Sequence, residues 1–561
     1  MVKYIKIFVP IFFLSFFLAG GVFFYSGITR HGLKQLSHQS NRWLLFENTD
    51  DSYITASQYK IDVLHYNLNF DLNAKDKILK GDVTIKGVVN DAGLKQIDLN
   101  FYDNMKISML TLNGSSTGYS EKGTTLSIPL NNTNIDTFTV RVVYEGTPKR
   151  LGFSSFVFGE INGRSCVYNL SEPTYASTWF PCDDRPDDKA TYDIKITNDS
   201  SEVSASNGKL ISVTTNGNRR TYYWKTVYPT STYLICLYSS NYVNFSDKYI
   251  SQNKADTMAV EYYAFPNQAD EAKIDFKENT AMIDFFAKKF GEYPFIKEKY
   301  GVAEFLWQMG AMETQTLTGV GSNFVGGKQF FNDIYAHELA HQWFGDAVGL
   351  KTWKDIWLNE GFASYCEALY AEHKGGAGAL QSVMMSKFNE NFKGTLYNPK
   401  NLFGSTVYDK GAWVLNMLRR EVGDSLFFGI LRKYFKTYEY KNASTADFKN
   451  ICEQVSHKDL TQFFDQWVYT GTGIIELRYN WKVAEKESSF VVNIDLEQTQ
   501  KGYDVYKFPL DVKINFEDKT GQVKTFWIDS RQKELKIITS KRPVSIKLDP
   551  DNWLLASIPG E

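Results

Sequence analysis

At 561 residues the chain is too long for a single core of ordinary size, and two to four domains are expected. Its formal net charge of −2 leaves no basic surplus, so nucleic acid is excluded as an expected partner. Hydrophobic content of 43% is ordinary for a globular protein, and aromatic content of 16% is high, so most of the chain reads as folded.

The N-terminal stretch MVKYIKIFVPIFFLSFFLAGGVFFYSGIT sets Lys3 and Lys6 before an uncharged run from Ile7 to Thr29. As a helix rising about 1.5 Å per residue, this run would cross a hydrocarbon core of about 30 Å. Residues 1–29 fit either a cleaved signal peptide or a retained signal anchor. The length of the run and the lack of a clear small-x-small cleavage site favour the anchor. No cysteine follows Leu18-Ala19-Gly20-Gly21, which argues against a lipoprotein. Arg30, Lys34 and Arg42 lie beyond the run, so flanking charge does not set its orientation. Both readings imply export: a body outside the cytoplasm, membrane-anchored, or secreted or periplasmic if the leader is removed.

Residues 30–56 are polar and irregular and read as a tether. Strand texture follows. HYNLNFDL alternates Tyr66, Leu68, Phe70 and Leu72, and DTFTVRVVY alternates Phe138, Val140, Val142 and Tyr144. With frequent Gly/Asn/Asp/Ser turns between them, residues 57–240 read as a β-sandwich. The period then lengthens. Ile274, Phe276, Met282, Phe285, Phe286 and Phe290 recur at helical spacing, and the helical segments ahead each close near a glycine, placing a mainly helical domain at 241–470. Alternation returns after TGTG in SFVVNIDLEQT, KFPLDVKINFED, QVKTFWIDS and ELKIITS, which places a small second β domain at 471–561. The architecture expected is multidomain α+β. The five cysteines form no CxxC; Cys166 and Cys182 fit a disulfide in an oxidising compartment, and equally fit isolated buried thiols.

The chemistry is expected in the helical part. In IYAHELAHQWFGD, His337 and His341 lie one helical turn apart, so both imidazoles can aim at one point. Glu338 projects beside that face, close enough to reach a water on a bound metal without ligating it. The chain has only seven histidines, so an accidental HExxH is improbable. Catalytic zinc takes three protein ligands, with nitrogens at about 2.0–2.1 Å. Glu360, nineteen residues after His341, supplies the third: it sits among Trp357, Leu358 and Phe362, apolar company in which a carboxylate needs a partner.

HExxH followed by this glutamate resembles the gluzincin aminopeptidases, the family of aminopeptidase N and leukotriene hydrolase. HELAHQWFGD and WKDIWLNEGFASY resemble its two active-site helices, GAMET at 310–314 its G-x-M-E-N signature, VYDKGAWVLNML from Val407 its catalytic-tyrosine segment, and EPTYASTWFPCDDRPDDKATYDI from Glu172 part of its N-terminal domain. The resemblance spans roughly residues 57–470. It implies a thermolysin-like catalytic domain and one zinc ion held by His337, His341 and Glu360. Glu338 would be the general base, and Tyr408 would donate a hydrogen bond to the oxyanion. Glu313 would bind the substrate's free α-ammonium, with Glu172 as a second contact. Gly310, Ala311 and Met312 would line the substrate backbone. Peptides with a free N-terminus are the implied partners.

Three departures from the family stand out. Thr314 replaces the signature Asn, Asp346 stands where relatives often have Asn, and the large C-terminal helical domain of longer relatives has no counterpart in this sequence, so a more open cleft is expected. HExxH chemistry by itself also fits a metalloendopeptidase, and the fold fits a non-catalytic membrane-tethered scaffold. Glu313 argues against the first; the intact ligands, Glu338 and Tyr408 argue against the second.

Overall fold

The computed structural model describes residues 51–130 and 135–559. The expected leader, and all but the end of the expected tether, lie outside the described residues. That end is pinned to the sheets behind it. Asn100 Nδ2 donates to the Tyr53 carbonyl at 2.8 Å, and the fully buried Gln58 donates to Asn100 Oδ1 at 2.7 Å. Among the described residues, no helix is long and apolar enough to cross a membrane.

The period-two segments are strands. Tyr66, Leu68, Phe70 and Leu72 of Ile61–Asn73 all point inward, as do Phe138, Val140, Val142 and Tyr144 of Thr137–Gly146. Both strands belong to an eight-stranded sheet. In it Ile61–Asn73 pairs in parallel with Lys189–Asp199, Leu68 facing Ile194, and the other pairings are antiparallel. A four-stranded sheet carries Arg164–Leu170 next to Leu237–Ser240, and a three-stranded sheet carries Gln96–Asn100. Trp179 is fully buried, its ring 5.1 Å from Phe70 and 5.5 Å from Phe156, and its carbonyl accepts the Tyr144 hydroxyl at 2.5 Å. The five cysteines are buried and unpaired, so Cys166 and Cys182 are isolated thiols.

The centre of the chain is less purely helical than its sequence suggests. It opens with a mixed five-stranded sheet in the order Val243–Ile250, Thr257–Ala264, Lys299–Phe305, Thr318–Gly321, Ala311–Met312. Lys299–Phe305 is buried at every position, so no alternation marks it in the sequence. Helices α1 (Ala269–Asp275) and α2 (Asn279–Phe290) lie between Thr257–Ala264 and Lys299–Phe305, and after the sheet come α3 (Asn332–His341), α4 (Trp357–Gly375), α5 (Ala377–Ser386), α6 (Gly411–Val422), α7 (Asp424–Tyr438) and α8 (Thr445–Ser456). Phe276, Met282, Phe285, Phe286 and Phe290 are buried as the spacing predicts, but Ile274 is 50% exposed: a 3-10 turn over Phe276–Glu278 separates α1 from α2 and resets the apolar face. Glycines at positive φ close α2, α4 and α6, where a side chain would be strained: Gly291 (126°), Gly376 (74°) and Gly423 (84°).

The last part of the chain forms two sheets. One contains Ile475–Lys486, Ser489–Gln498, Gln532–Thr539 and Ala556–Ser557; the other contains Gly521–Ile528, Phe508–Phe516 and Pro543–Leu548. Lys410, fully buried just before α6, donates from Nζ to the Gly471 carbonyl at 2.8 Å and so ties the helices to the start of these strands.

A second lysine ties the N-terminal strands to the turn that follows α3. Lys189 Nζ donates to the carbonyls of Asp346 at 2.6 Å and Ala347 at 3.2 Å. Gly349 leaves the room it needs, since a Cβ there would stand 2.9 Å from Lys189 Cε. Replacing Lys189 by Met keeps the length and removes the donor from two inward-facing carbonyls. Lys189→Met is expected to lower the free energy of the first unfolding transition by ~1–3 kcal/mol, read as a lower urea midpoint at unchanged slope.

Candidate active site and metal centre

Helix α3 ends at His341, four residues earlier than the glycine that the sequence marks as its stop. The chain then widens: Asp346, Ala347 and Val348 donate to the carbonyls five residues back, those of His341, Gln342 and Trp343, at 2.9, 3.2 and 3.1 Å. Gly345 sits inside this turn at φ 144°, and a Cβ there would come within 3.0 Å of His341 Nδ1. The turn aims the Phe344 carbonyl at His341, whose Nδ1 donates to it at 3.2 Å. Glu360 enters from the first turn of α4, after a 3-10 turn over Trp353–Asp355.

The three expected ligands converge. His337 Nε2 lies 3.3 Å and His341 Nε2 3.5 Å from Glu360 Oε2, and one ligand atom from each residue falls within 4.8 Å of the others. Both Nδ1 atoms are committed as donors, to Glu367 Oε1 at 3.0 Å and to the Phe344 carbonyl. This leaves each Nε2 lone pair facing the shared point, the tautomer a metal-ligating imidazole needs. Two imidazole nitrogens and one carboxylate form the donor set of a catalytic zinc site. Without an ion, burial opposes charge on the imidazoles but the carboxylates outweigh it. Hydrogen bonds to Glu360 and Glu367 bring His337 to about 9, and Glu313 and Glu360 bring His341 to about 10. Glu360 is itself buried, yet the two imidazoles hold it down at about 2. The site is organised around positive charge.

Glu338 lies within 4.8 Å of Glu313 and His341 by their ligand atoms. Burial, aided by Glu313 and Glu360 and opposed by the two histidines, pushes it up to about 8. The Tyr408 ring stacks on His337 at 5.9 Å and 14°. Burial and the nearby glutamates raise its phenol well above the usual range, so it stays a proton donor.

Tyr408 is brought there by a close backbone crossing. It belongs to a π-helical turn over Thr406–Lys410 that leads into α6. At that junction Gly411 packs against Gly361 of α4: a Cβ on Gly411 would stand 2.8 Å from Gly361 Cα, and one on Gly361 3.0 Å from Gly411 Cα. The residue after the third ligand and the residue three past the tyrosine therefore touch main chain to main chain.

On the other flank, Glu172 of the β-rich N-terminal region meets Glu313, which follows the edge strand Ala311–Met312. Oxygens of Glu172, Glu313 and Glu360 lie within 4.8 Å of one another. Glu172 Oε1 and Glu313 Oε1 are buried without a hydrogen-bond partner. Burial raises both carboxyls, and Glu313 raises Glu172 further. Gly310 is held by Gly321 N, which donates to its carbonyl at 3.1 Å, and Trp307 covers the space a side chain there would take. Ala311 is partly exposed beside it, and Met312 is buried.

Two of the departures from the family pattern, Thr314 and Asp346, lie beside this site. Thr314 Oγ1 donates to the Leu317 carbonyl and lies 3.2 Å from the Tyr238 hydroxyl, closing the turn after Glu313. Asp346 is fully buried with both carboxylate oxygens unpartnered, and burial, with Glu313 near, raises it well above the usual carboxylate range. Glu367 was not read from the sequence. It lies two helical turns after Glu360 on the same face of α4, a spacing that would have found it. Lys387 Nζ in turn reaches Glu367 Oε2 at 3.0 Å.

Residues 274–467 match the Peptidase family M1 domain, and residues 63–234 match the Peptidase M1 N-terminal domain. The chain belongs to peptidase family M1. It is 29% identical over 430 residues to a glutamyl aminopeptidase of Bitis rhinoceros, covering 71% of this chain and 44% of that protein. It is 27% identical over 448 residues to aminopeptidase N of Lactococcus lactis subsp. lactis, covering 72% and 50%. The chain thus spans about half the length of the curated relatives it matches. Among solved structures, the M1 zinc metallopeptidase of Deinococcus radiodurans matches at 27% identity and a TM-score of 0.65, covering 73% of this chain and 93% of that one. Aminopeptidase A of Legionella pneumophila shares the fold, with a TM-score of 0.80 over 92% of this chain and 61% of that one at 19% identity.

Two substitutions test this geometry. Glu367→Ala removes the acceptor on His337 Nδ1 and is expected to weaken metal affinity by about 10–100-fold, measured by competition with a chromogenic chelator. Gly411→Ala forces apart the crossing that seats Tyr408. A fall in kcat of up to about 10²-fold is expected, with the metal retained on elemental analysis.

Proposed function

We propose that this chain is a zinc-dependent aminopeptidase that hydrolyses the N-terminal peptide bond of peptides. The observation that carries the reading is the pair of buried carboxylates Glu172 and Glu313, each with its Oε1 unpartnered, set beside the His337–His341–Glu360 convergence. A buried carboxylate pair without a cation is unfavourable, and a substrate α-ammonium next to the scissile bond supplies one. An N-blocked peptide brings no charge and leaves both acids unpaired, so a free amine is selected.

His337, His341 and Glu360 would hold the zinc. Bound there, it would supply Lewis acidity toward the scissile carbonyl and a water whose pKa is lowered toward about 7. Glu338, beside that water, would take a proton from it as it attacks and deliver one to the leaving amine. Tyr408 donates its hydroxyl hydrogen to the oxygen that gains negative charge. Gly310, Ala311 and Met312 present an edge strand whose free side suits an extended substrate backbone. The Deinococcus structure with a bound Tyr-Ser-Ala substrate supports a peptide in such a site.

The wider assignment has three parts. Residues 57–240 form the N-terminal β-sandwich, 241–470 the thermolysin-like domain, and 471–561 a small β-sandwich, the last supported by its two sheets. The leader at 1–29 exports this body and anchors it to a membrane, or is removed to release it.

An aminoacyl substrate with a free amine should be cleaved, and its N-acetylated form should not, by a margin of about 10²-fold or more. Chelation should abolish turnover and added zinc restore it, while Glu338→Ala should bind zinc and remain inactive. Equal cleavage of acetylated and free peptides, or internal cleavage that survives Glu313→Gln, would sink the aminopeptidase reading.

A further inference from the structure

We propose that Gln342 is the positioning residue that fixes the span between the amine-binding carboxylates and the metal ligands, so that cleavage falls one residue from the free amine. This rests on the aminopeptidase reading above.

Gln342 follows the ligand His341 directly and is fully buried. Its Oε1 accepts from Thr316 N at 2.8 Å and from the Tyr293 hydroxyl at 3.1 Å. Its Nε2 donates to the Glu313 carbonyl at 3.2 Å. The partners fix the amide's orientation: exchanging its oxygen and nitrogen would set donors against the Thr316 N–H and an acceptor against the Glu313 carbonyl. One side chain thus grips the loop at Glu313 itself and again three residues later at Thr316. Among the described residues, Gln342 is the side chain that carries hydrogen bonds from the end of the metal-ligand helix to this loop.

The loop has reason to move if released. Thr316 sits at φ 64°, a left-handed conformation that a β-branched residue rarely adopts. Its other ties run to different elements. Gly208 N donates to Thr316 Oγ1 at 2.9 Å, and Lys299 Nζ to the Thr316 carbonyl at 3.3 Å. Gln315 Nε2 donates to Thr230 Oγ1 at 2.7 Å, and Asn207 Nδ2 to the Gln315 carbonyl. These bonds hold the loop to the N-terminal strands and to the central sheet. The Gln342 bonds hold it to the ligands. In a substrate, the amine nitrogen and the scissile carbonyl carbon are only about 2.5 Å apart, set by one Cα. An aminopeptidase site must keep its amine clamp and its metal in register to a fraction of that length, since a displacement of about 1 Å costs on the order of 10²-fold.

The test compares the zinc-loaded full chain with Gln342→Met, which keeps the length and loses every hydrogen bond, and with Tyr293→Phe, which removes the hydroxyl whose one hydrogen is shared between Oε1 and the Lys299 carbonyl, each at 3.1 Å. Three quantities are read: zinc per chain, kcat and KM on free-amine and N-acetylated peptides, and calorimetric affinity for L-tryptophan against N-acetyl-L-tryptophan. Expected for Gln342→Met are one zinc per chain, a KM for the free-amine peptide raised about tenfold or more, and an L-tryptophan affinity weakened by a similar factor. Tyr293→Phe should move the same quantities in the same direction by less, and it carries the test if Gln342→Met does not fold. Unchanged L-tryptophan affinity in a folded Gln342→Met would overturn the role, as would zinc loss that accounts for the whole effect. An unaltered protein that binds both tryptophan forms equally would overturn this proposal and the aminopeptidase reading together.

Discussion

Mutual repulsion among buried carboxylates is the constraint around which the rest of the molecule is arranged. Glu172, Glu313, Glu338 and Glu360 reach into one space, in overlapping trios whose ligand atoms lie within 4.8 Å. Two full negative charges at that distance repel by about 3 kcal/mol at an effective dielectric of about 20. Such a group is held together by its surroundings and by whatever cations it receives. Two imidazoles on one helical turn provide for one cation. The unpartnered oxygens of Glu172 and Glu313 leave a place for a second, which in the proposed function is the substrate's ammonium. In that proposal a metal and an ammonium at adjoining positions would define a line, and a peptide lying along it would have one bond within reach.

Holding the acids in place takes side chains from several parts of the chain. Glu172 comes from the β-rich N-terminal region, Glu313 from the end of an edge strand, Glu338 from α3 and Glu360 from α4. The loop after Glu313 is tied to N-terminal residues by Asn207 and Gln315, while Lys189 of the same region grips the turn behind His341. The N-terminal strands therefore act as part of the catalytic frame. Lys410 extends the same logic in the other direction, joining the Tyr408 segment to the Gly471 carbonyl where the last strands begin.

Much of this was legible in the sequence, for reasons that differ by element. Strands buried on one face announced themselves by alternation, as in Ile61–Asn73 and Thr137–Gly146. The central sheet did not, because Lys299–Phe305 is buried on both faces and Ala311–Met312 is only two residues long. His337, Glu338 and His341 were readable because helical spacing converts sequence distance directly into geometry, and Glu360 because a carboxylate among Trp357, Leu358 and Phe362 needs a partner. Glu172, Glu313 and Tyr408 stood out through their motif contexts alone, since nothing local predicts that segments so far apart in the chain share one pocket. Gln342 and Lys189 were not singled out: each acts through backbone atoms of a loop, and a backbone partner leaves no mark on composition or periodicity. Asp346 remains without a partner for its carboxylate, and the structure offers no physical account of why an acid stands there.

The crossing of α4 with α6 at Gly361 and Gly411 has a consequence for how this sequence can change over time. Most packed pairs drift by compensation, a larger residue on one side answered by a smaller one on the other. Here both partners already occupy the lower limit of side-chain size, so no second substitution can make room for a first. The tyrosine and the third ligand are thus held to each other by an absence of atoms, a contact that mutation can lose but cannot repack.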